Sequence, residues 1–458
     1  MTFPTTDLTA HRQAMARSIG LAAFVYGYPL TESMRTCRLQ TEGSASAPAR
    51  APINQLHHVT AGSTDRDRDI VTPANDLLYT TAWIHLAAGP QLLTVPAARR
   101  HPGRYFVLAL YDAYTENFEN LGLRNCNADG ETVVLVGPRA EVPPSLQHHR
   151  VVRCPTDLVW MIGRILVGDA DDLTAARALQ SDIRLAPATD GTGGPLPCAV
   201  AQWEGEPLDI MTQAFEQQRP AAEVAPRFFR HLCLALAEAP GRTQDQGLVA
   251  WLSQGGLVAE STFSWNTVEP TLQAGLIQGF AEGVALVGTA ARSRRARPWV
   301  LASRAGRYGS DYLVRALTAY IGLGALATDE ALYGAGHFDA DGQPLSGTQH
   351  YTLRFEAHEM PPVDAFWSVT LYDNDRYLYP NALGRHAIGD RTRALHTAPD
   401  GSLTITFSHD QPDAKDVNWM PTPAGRFYLI LRLYHPRDGV RSWKIPQLHA
   451  RLPQGEHA

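Results

Sequence analysis

The sequence predicts an α+β protein with an N-terminal helix, a helical middle segment and two antiparallel β-barrel or jelly-roll-like regions. Three observations carry this reading. Apolar residues recur at helical spacing near the N-terminus and again from Leu208 to about Leu326. Residues 70–138 and those beyond Tyr333 instead form short runs bounded by Gly, Pro and Asp, the pattern of strands and turns. At 458 residues the chain is too long for one core. Four segments follow: helical 1–52, β-rich 53–188, helical 198–330 and jelly-roll-like 331–458.

Asp7 or Thr9 caps a first helix reaching about Thr36, with Ile19, Ala22, Ala23 and Tyr26 at helical spacing. Pro29 falls inside it and is expected to kink or divide it, because proline lacks an N–H and clashes with the preceding turn. Residues 43–52, rich in Ser, Ala and Pro, read as a loop. Strands are expected at 77–86, 91–95, 105–111 and 132–136, with Pro143-Pro144 closing the region. Residues 157–168 are apolar except for Arg164, and 169–180 read as a helix. The linker is placed at 189–197, TDGTGGPLP. Helices at 221–239 and 271–294 follow, then strands at 348–357, 366–372, 403–408 and 427–434. Gly275, Gly279 and Gly283 recur every fourth residue and leave a smooth ridge for close helix packing. Gln273, Gln278 and Glu282 favour burial of that helix in a soluble protein over a membrane.

Forty basic against 46 acidic residues give a net charge of −6, which argues against nucleic acid as a partner. The only lysines are Lys415 and Lys444, so a Schiff-base mechanism would have to use one of two residues. The five cysteines (Cys37, Cys126, Cys154, Cys198, Cys233) are scattered and form no C-x-x-C, which fits a reducing, cytoplasmic setting. No 18-residue apolar run is present, so no membrane span is expected. Zincin, P-loop, hydrolase-elbow and Rossmann motifs are all missing, so no cofactor is expected. The adjacent pairs His57-His58 and His148-His149 each supply at most one ligand to a shared site, so no metal ligands are assigned. Asp339-Ala340-Asp341-Gly342 lacks a Glu at the twelfth calcium-loop position, where His350 stands, and reads as an Asx-type turn.

Four groups of residues have the chemistry of a site. Asn75, Asp76 and Tyr79 place an amide, a carboxylate and a phenol just before a strand, as carbonyl partner, acid/base and proton donor. Asp112 follows an apolar strand together with Tyr114, Glu116 and Asn117, and Arg124 lies close enough in sequence to clamp an anion. Tyr308, Asp311, Tyr312 and Arg315 share one helical face by spacing, with Tyr312 a second proton donor. Trp367, Tyr372, Asn418 and Trp419 stand on or at the ends of strands and suit the wall of a ligand cavity.

These residues also carry a resemblance. Thr72-Pro73-Ala74-Asn75-Asp76 with Tyr79 and Trp83, Gly89-Pro90, Arg104-Tyr105, Gly137-Pro138, Trp160 and Gly163-Arg164 resemble domain of unknown function 1254. Gly309-Ser310-Asp311-Tyr312, Arg315-Ala316, Phe366-Trp367-Ser368, Tyr372-Asp373, Asn418-Trp419-Met420-Pro421 and Tyr434-His435-Pro436 resemble domain of unknown function 1214. The two-part family implies helices packed with two β-barrel or jelly-roll-like regions, and supplies no general catalytic set. Ala74, Leu77 and His85 stand where that pattern usually has Asn, Thr and Asp. The resulting expectation is a cofactor-independent enzyme acting by acid–base chemistry on a small, partly apolar oxygenated molecule. Its reaction would be hydrolase, lyase or isomerase/cyclase chemistry, compatible with secondary metabolism. A non-catalytic small-molecule binder and a metal enzyme built from scattered His and Asp are the alternatives. A homo-oligomer is compatible with the sequence.

Overall fold

The computed structural model describes residues 6–44, 48–68, 71–169, 171–188, 207–294, 299, 301–414 and 416–451. The expected linker at 189–197 lies outside these, as do Cys198 and Lys415.

Helix α1 (Thr6–Glu42) is continuous through Pro29. The expected break does not form, and the helix extends past Thr36. Tertiary burial overrides the cost of the proline, since Tyr28, Leu30, Thr31, Ser33 and Met34 around it are all buried. The partner is α5 (Pro270–Arg294), and the two helices approach closely through glycines. A methyl group on Gly275 or Gly279 would overlap the α1 backbone at Gln13 or Arg17, and one on Gly283 would strike the Phe24 ring. By length and composition alone, Pro270–Ser293 would suffice to cross a membrane, yet its glycine ridge is spent on α1 and half of its apolar window is buried.

The first β region is two stacked sheets. One has the order β1 (His57–His58), β2 (Leu77–His85), β8 (Leu158–Leu166), β4 (Phe106–Asp112), β5 (Asn117–Gly122). The other has the order β7 (Arg150–Arg153), β6 (Glu131–Val136), β3 (Gln91–Val95), β9 (Arg184–Pro187), with α2 (Leu173–Asp182) alongside. The apolar run at 157–168 is therefore the central strand of the larger sheet. Both faces of that sheet are covered, which explains why β4 and β8 are buried along their whole length. Side chains alternate across it. Leu78, Ala82, Phe106, Leu108, Val159 and Met161 fill the space between the sheets. Leu77, Trp83, Tyr105, Tyr111, Trp160 and Ile162 face the helices.

The helical middle contributes α3 (Ala221–Glu238), α4 (Gln246–Ser253) and α6 (Tyr312–Gly322) besides α5. The second β region again pairs two sheets. One has the order β10 (Ala331–Gly336), β16 (Phe427–Pro436), β12 (Val363–Asp373), β13 (Ala387–Gly389); the other β15 (Asn418–Pro421), β14 (Leu403–Ser408), β11 (His350–Phe355), β17 (Leu448–Arg451). Phe427, Leu429, Leu431 and Leu433 of β16 point into this sandwich, so Tyr428, Ile430, Arg432 and Tyr434 point out of it. The fold is α+β, and none of the four sheets closes into a barrel. Edge strands of two or three residues, β1 and β13, end the ladders instead.

Because α1 and α5 meet through glycine, Gly279→Ala should lower stability by about 1–3 kcal/mol, the usual cost of overpacking. Gly247→Ala, where a Cβ meets open space, serves as the control. Urea denaturation checks this, and equal midpoints for Gly279→Ala and wild type would contradict the packing.

Candidate functional site

The outward faces of the two β regions meet around a cavity of about 480 Å³, within the range of small-molecule pockets. Tyr79 and Thr81 of β2 and Trp160, Ile162 and Arg164 of β8 form one wall. Tyr333 and Ala335 of β10 with Tyr428, Ile430, Arg432 and Tyr434 of β16 form the opposite wall. Val314, Thr318 and Ile321 of α6 close a third side. Strand periodicity alone sets which residues enter: 79 and 81, then 160, 162 and 164, then 428 to 434 by twos.

Two guanidinium groups dominate the electrostatics. Arg164 is 8% exposed and donates to the Gly324 carbonyl at 2.6 Å and to the Tyr111 hydroxyl at 3.3 Å. Arg432 is 4% exposed and donates to Thr370 Oγ1 at 2.9 Å, and to the Thr72 carbonyl and the Tyr372 hydroxyl at 2.8 Å each. All these partners are neutral, and among the described residues neither arginine has a carboxylate within ion-pair distance. Arginine stays protonated in proteins, so both remain buried cations, which normally demand a partner. Tyr79, Tyr333 and Tyr434 lie within electrostatic reach of both. Burial raises the hydroxyls of Tyr333 and Tyr434 above the ordinary tyrosine range and pushes Tyr372 up to about 12. These phenols therefore stay protonated at neutral pH. Trp160, stacked on Trp83 at 5.0 Å, is 2% exposed, and its Nε1–H has no hydrogen-bond partner among the described residues. The inner wall is thus rich in donors and poor in acceptors.

The rim is built from loops. Thr72 and Arg376 both adopt the left-handed region, at φ 56° and 76°, which is costly for a β-branched residue. They hold each other through Thr72 N to the Arg376 carbonyl at 3.0 Å. Arg376 also pairs with Glu216 at 3.2 Å, and Arg304 with Asp311 at 2.9 Å, so these rim cations are already matched. Asp67, from the alternating charged run, accepts from the Thr64 backbone at 2.7 Å.

Of the residues expected to form the site, Tyr79 lines the cavity, accepting from Ala74 N at 3.1 Å. Tyr372 stands behind Arg432 and donates to the Pro73 carbonyl at 2.6 Å. Asp76 lies within electrostatic reach of Arg432, Tyr372 and Tyr434, and both its carboxylate oxygens are buried without a hydrogen-bond partner. Asn75 Oδ1 is likewise buried and unpartnered. Of these four, Tyr79 lines the cavity, whereas Asn75, Asp76 and Tyr372 are not among its lining residues.

The others do not join them. Asp112, Tyr312 and Arg315 belong to a buried charged network between the first sheet and the helices. Arg315 is fully buried and pairs with Glu116 at 2.8 Å, Arg242 pairs with Asp245 at 2.8 Å, and Tyr312 donates to Asp245 at 2.7 Å. The expected helical face of Tyr308, Asp311, Tyr312 and Arg315 is not formed, because α6 begins at Tyr312 and Asp311 is its N-cap, accepting from Val314 N. Arg124 is half-exposed on another face, 4.0 Å from Glu330. Trp367 points into the second sandwich against Phe355, by the same alternation that turns Tyr372 outward. Asn418 bridges the His396 and Thr404 backbone, and Trp419 donates to the Ser408 carbonyl. Of the residues that changed the family pattern, His85 is buried and pairs with Glu238 at 2.6 Å. The described residues contain no group of three or more His, Cys, Asp or Glu arranged to hold a metal ion.

Arg164, Arg432, Trp160, Tyr333 and Tyr434 were not anticipated as site residues. Arg164 did have a sequence signal, as the one charge in an apolar strand where an unpaired cation needs a reason. Arg432 offered the same signal within Phe427–Pro436.

Burial raises the Asp112 carboxyl to about 6, opposed by backbone hydrogen bonding and by Arg315 and Arg242. Its native value exceeds its unfolded one, so its contribution to stability is complete below pH ~4 and is lost as pH rises through ~6, up to about 3 kcal/mol in all. Asp112→Asn should abolish that decline and exceed wild type in stability at pH 7, as measured by denaturation from pH 4 to 7. A parallel pH profile in the variant would refute the assignment.

Residues 53–187 match the family model described as Protein of unknown function (DUF1254), and residues 330–438 the one described as Protein of unknown function (DUF1214). No curated protein matches the chain. The crystal structure of the VPA0106 protein from Vibrio parahaemolyticus is similar in fold, at 24% identity over 95% of this chain and 100% of that one, with a TM-score of 0.69. An uncharacterized protein from Burkholderia cenocepacia aligns over 98% of this chain and 96% of its own at 13% identity, with a TM-score of 0.46. With its two β regions matched in this order, the chain belongs to the two-part family that joins DUF1254 to DUF1214.

Proposed function

We propose that the protein binds a small, partly apolar molecule bearing a carboxylate in the cavity between its two β regions, and acts on it by acid–base chemistry. The observation that carries the reading is the pair of buried guanidinium groups, Arg164 and Arg432, which have no carboxylate within ion-pair distance among the described residues. A buried cation with no carboxylate in contact costs up to several kcal/mol, offset at Arg432 by Asp76 at longer range, and a ligand carboxylate is the group whose geometry suits a guanidinium fork. The unpartnered indole of Trp160 and the phenol of Tyr434 add donors for further ligand oxygens. Val59, Val71, Ile162, Leu301, Val314 and Ile430 supply the apolar surface for the remainder of the molecule.

The catalytic part of the reading rests on Asp76. Asp76 is not among the residues that line the cavity, but its carboxylate oxygens have no hydrogen-bond partner among the described residues and lie within electrostatic reach of Arg432 and Tyr372, which supports it as the proton acceptor. Tyr79, across from Arg164 in the β2–β8 register and in the cavity wall, is the proton donor in this reading.

Aryl and branched-alkyl carboxylates should raise the melting temperature, while their neutral primary amides should not. Arg164→Gln and Arg432→Gln should each weaken carboxylate binding at least about 10-fold, or about 1.4 kcal/mol, by calorimetry. Amides that bind as well as the acids would overturn the anion anchor. For a carboxylate that is turned over, Asp76→Asn should keep binding and lose about 10²–10⁴ in rate. Unchanged turnover there would remove the catalytic role and leave a binding protein.

A further inference from the structure

A second polar cluster lies outside the cavity, where the two β regions touch. Glu330, just before β10, is 4% exposed and receives several donors. The Tyr105 hydroxyl donates to its Oε1 at 2.7 Å, His435 Nε2 lies 3.0 Å from the same oxygen, and Arg124 Nη1 is 4.0 Å from Oε2. His435 is fixed further by its backbone N–H to the Glu330 carbonyl at 2.9 Å and by edge-on contact with the Tyr105 ring at 5.0 Å. Its φ of 50° is in the left-handed region, a strain that a non-glycine residue adopts only when its surroundings impose it. That conformation, with strand alternation, leaves Tyr434 in the cavity wall and puts His435 in an open cleft lined by Arg124, Asp364, Pro436, Arg437 and Asp438.

The chemistry of the cleft follows from which nitrogen is occupied. The Glu330 carboxylate accepts, so the proton shared with it sits on Nε2, and in the uncharged form of the ring Nδ1 is the acceptor. Arg437 is matched by Asp364 at 2.6 Å, whereas among the described residues Arg124 has only the 4.0 Å contact with the already engaged Glu330. The cleft thus offers an under-matched cation and an oriented acceptor. Asp438 stands exposed at its rim.

We infer that this cleft is a second ligand site, distinct from the central cavity, for a small oxyanion that also carries a hydroxyl. Hydrogen phosphate and 2-hydroxycarboxylates share that chemistry. The anionic oxygen lies against Arg124, the hydroxyl donates to His435 Nδ1, and Glu330 acts as a positioning residue that fixes the imidazole tautomer. Tyr105 and Arg124 come from the first matched region and Glu330 and His435 from the second, so a bound oxyanion would tie the two together.

The test uses the full-length protein and the ring resonances of His435, assigned by their loss in His435→Gln. Inorganic phosphate, glycolate and acetate are titrated in turn. Phosphate or glycolate should give a saturable shift at millimolar concentration and acetate, lacking the hydroxyl, a weaker one; which of the first two binds better identifies the ligand class. Arg124→Met should weaken binding at least about 10-fold with an unchanged melting temperature, since its side chain is largely solvated. Arg164→Gln should leave this binding intact, which separates the cleft from the central cavity. No saturable shift up to about 50 mM, or equal binding by Arg124→Met, would overturn the site and leave the Glu330–His435 pair as a clamp between the β regions.

Discussion

The rest of the structure depends on the larger sheet of the first β region being buried on both faces. One face packs against its partner sheet and the other against the helices and the second β region. A doubly covered strand has no solvated side to which a charge can retreat. Arg164, in the central strand β8, must therefore be satisfied inside, and the Gly324 carbonyl and Tyr111 hydroxyl are arranged to do so. The same constraint operates from the opposite wall. Arg432 lies in the middle of the β10–β16–β12 sheet, with its outward face against the first region. The cavity is the space left where these two walls cannot close over two guanidinium groups.

Such an arrangement is a poor choice for stability alone. Apolar residues of similar volume would often serve a core as well or better than buried charge. Proteins keep such features where function requires them, at some expense in stability. The strain at Thr72 and Arg376 on the rim of the same cavity points the same way, as does the tie from Thr72 through its carbonyl to Arg432. The rim, the cation and the tyrosine Tyr372 form one hydrogen-bonded unit. The network around Glu116, Arg242, Asp245 and Arg315 differs in kind. Its charges are matched by opposite ones, and it anchors the first sheet to the helices at a distance from the cavity walls.

Much of the architecture was legible because it is written in local periodicity. The strands β2, β3, β4, β6, β14 and β16, and the glycine ridge on α5, follow from spacing alone, since alternation and a fourth-residue repeat need no distant partner to be recognised, whereas β5 and β15 escaped that pattern. Pro29 misled because propensity is a weak term against the burial of a long helix. Barrel closure misled because nothing local in a strand states whether the last one pairs with the first. At the cavity, Tyr79 could be picked out by residue type and position, and Tyr372 stands behind the cavity-lining Arg432. Trp367 and Tyr372 show the limit, being aromatics on one strand with opposite parity, so that only the registration of the sheet separates a core residue from one beside the cavity.

The sequence by itself determined the two-part family, the α+β class, most strand and helix positions and the close-packing ridge on α5, because each is a matter of short-range pattern, whereas that the ridge meets α1 was decided by the tertiary structure. Tertiary structure alone decided which polar residues meet. Arg164 and Arg432 are 268 positions apart in the chain, and Arg124 is brought near His435 from the other β region. Arg164 and Arg432 both lost water against the same cavity, and desolvation is a property of the packed molecule, not of any segment of it.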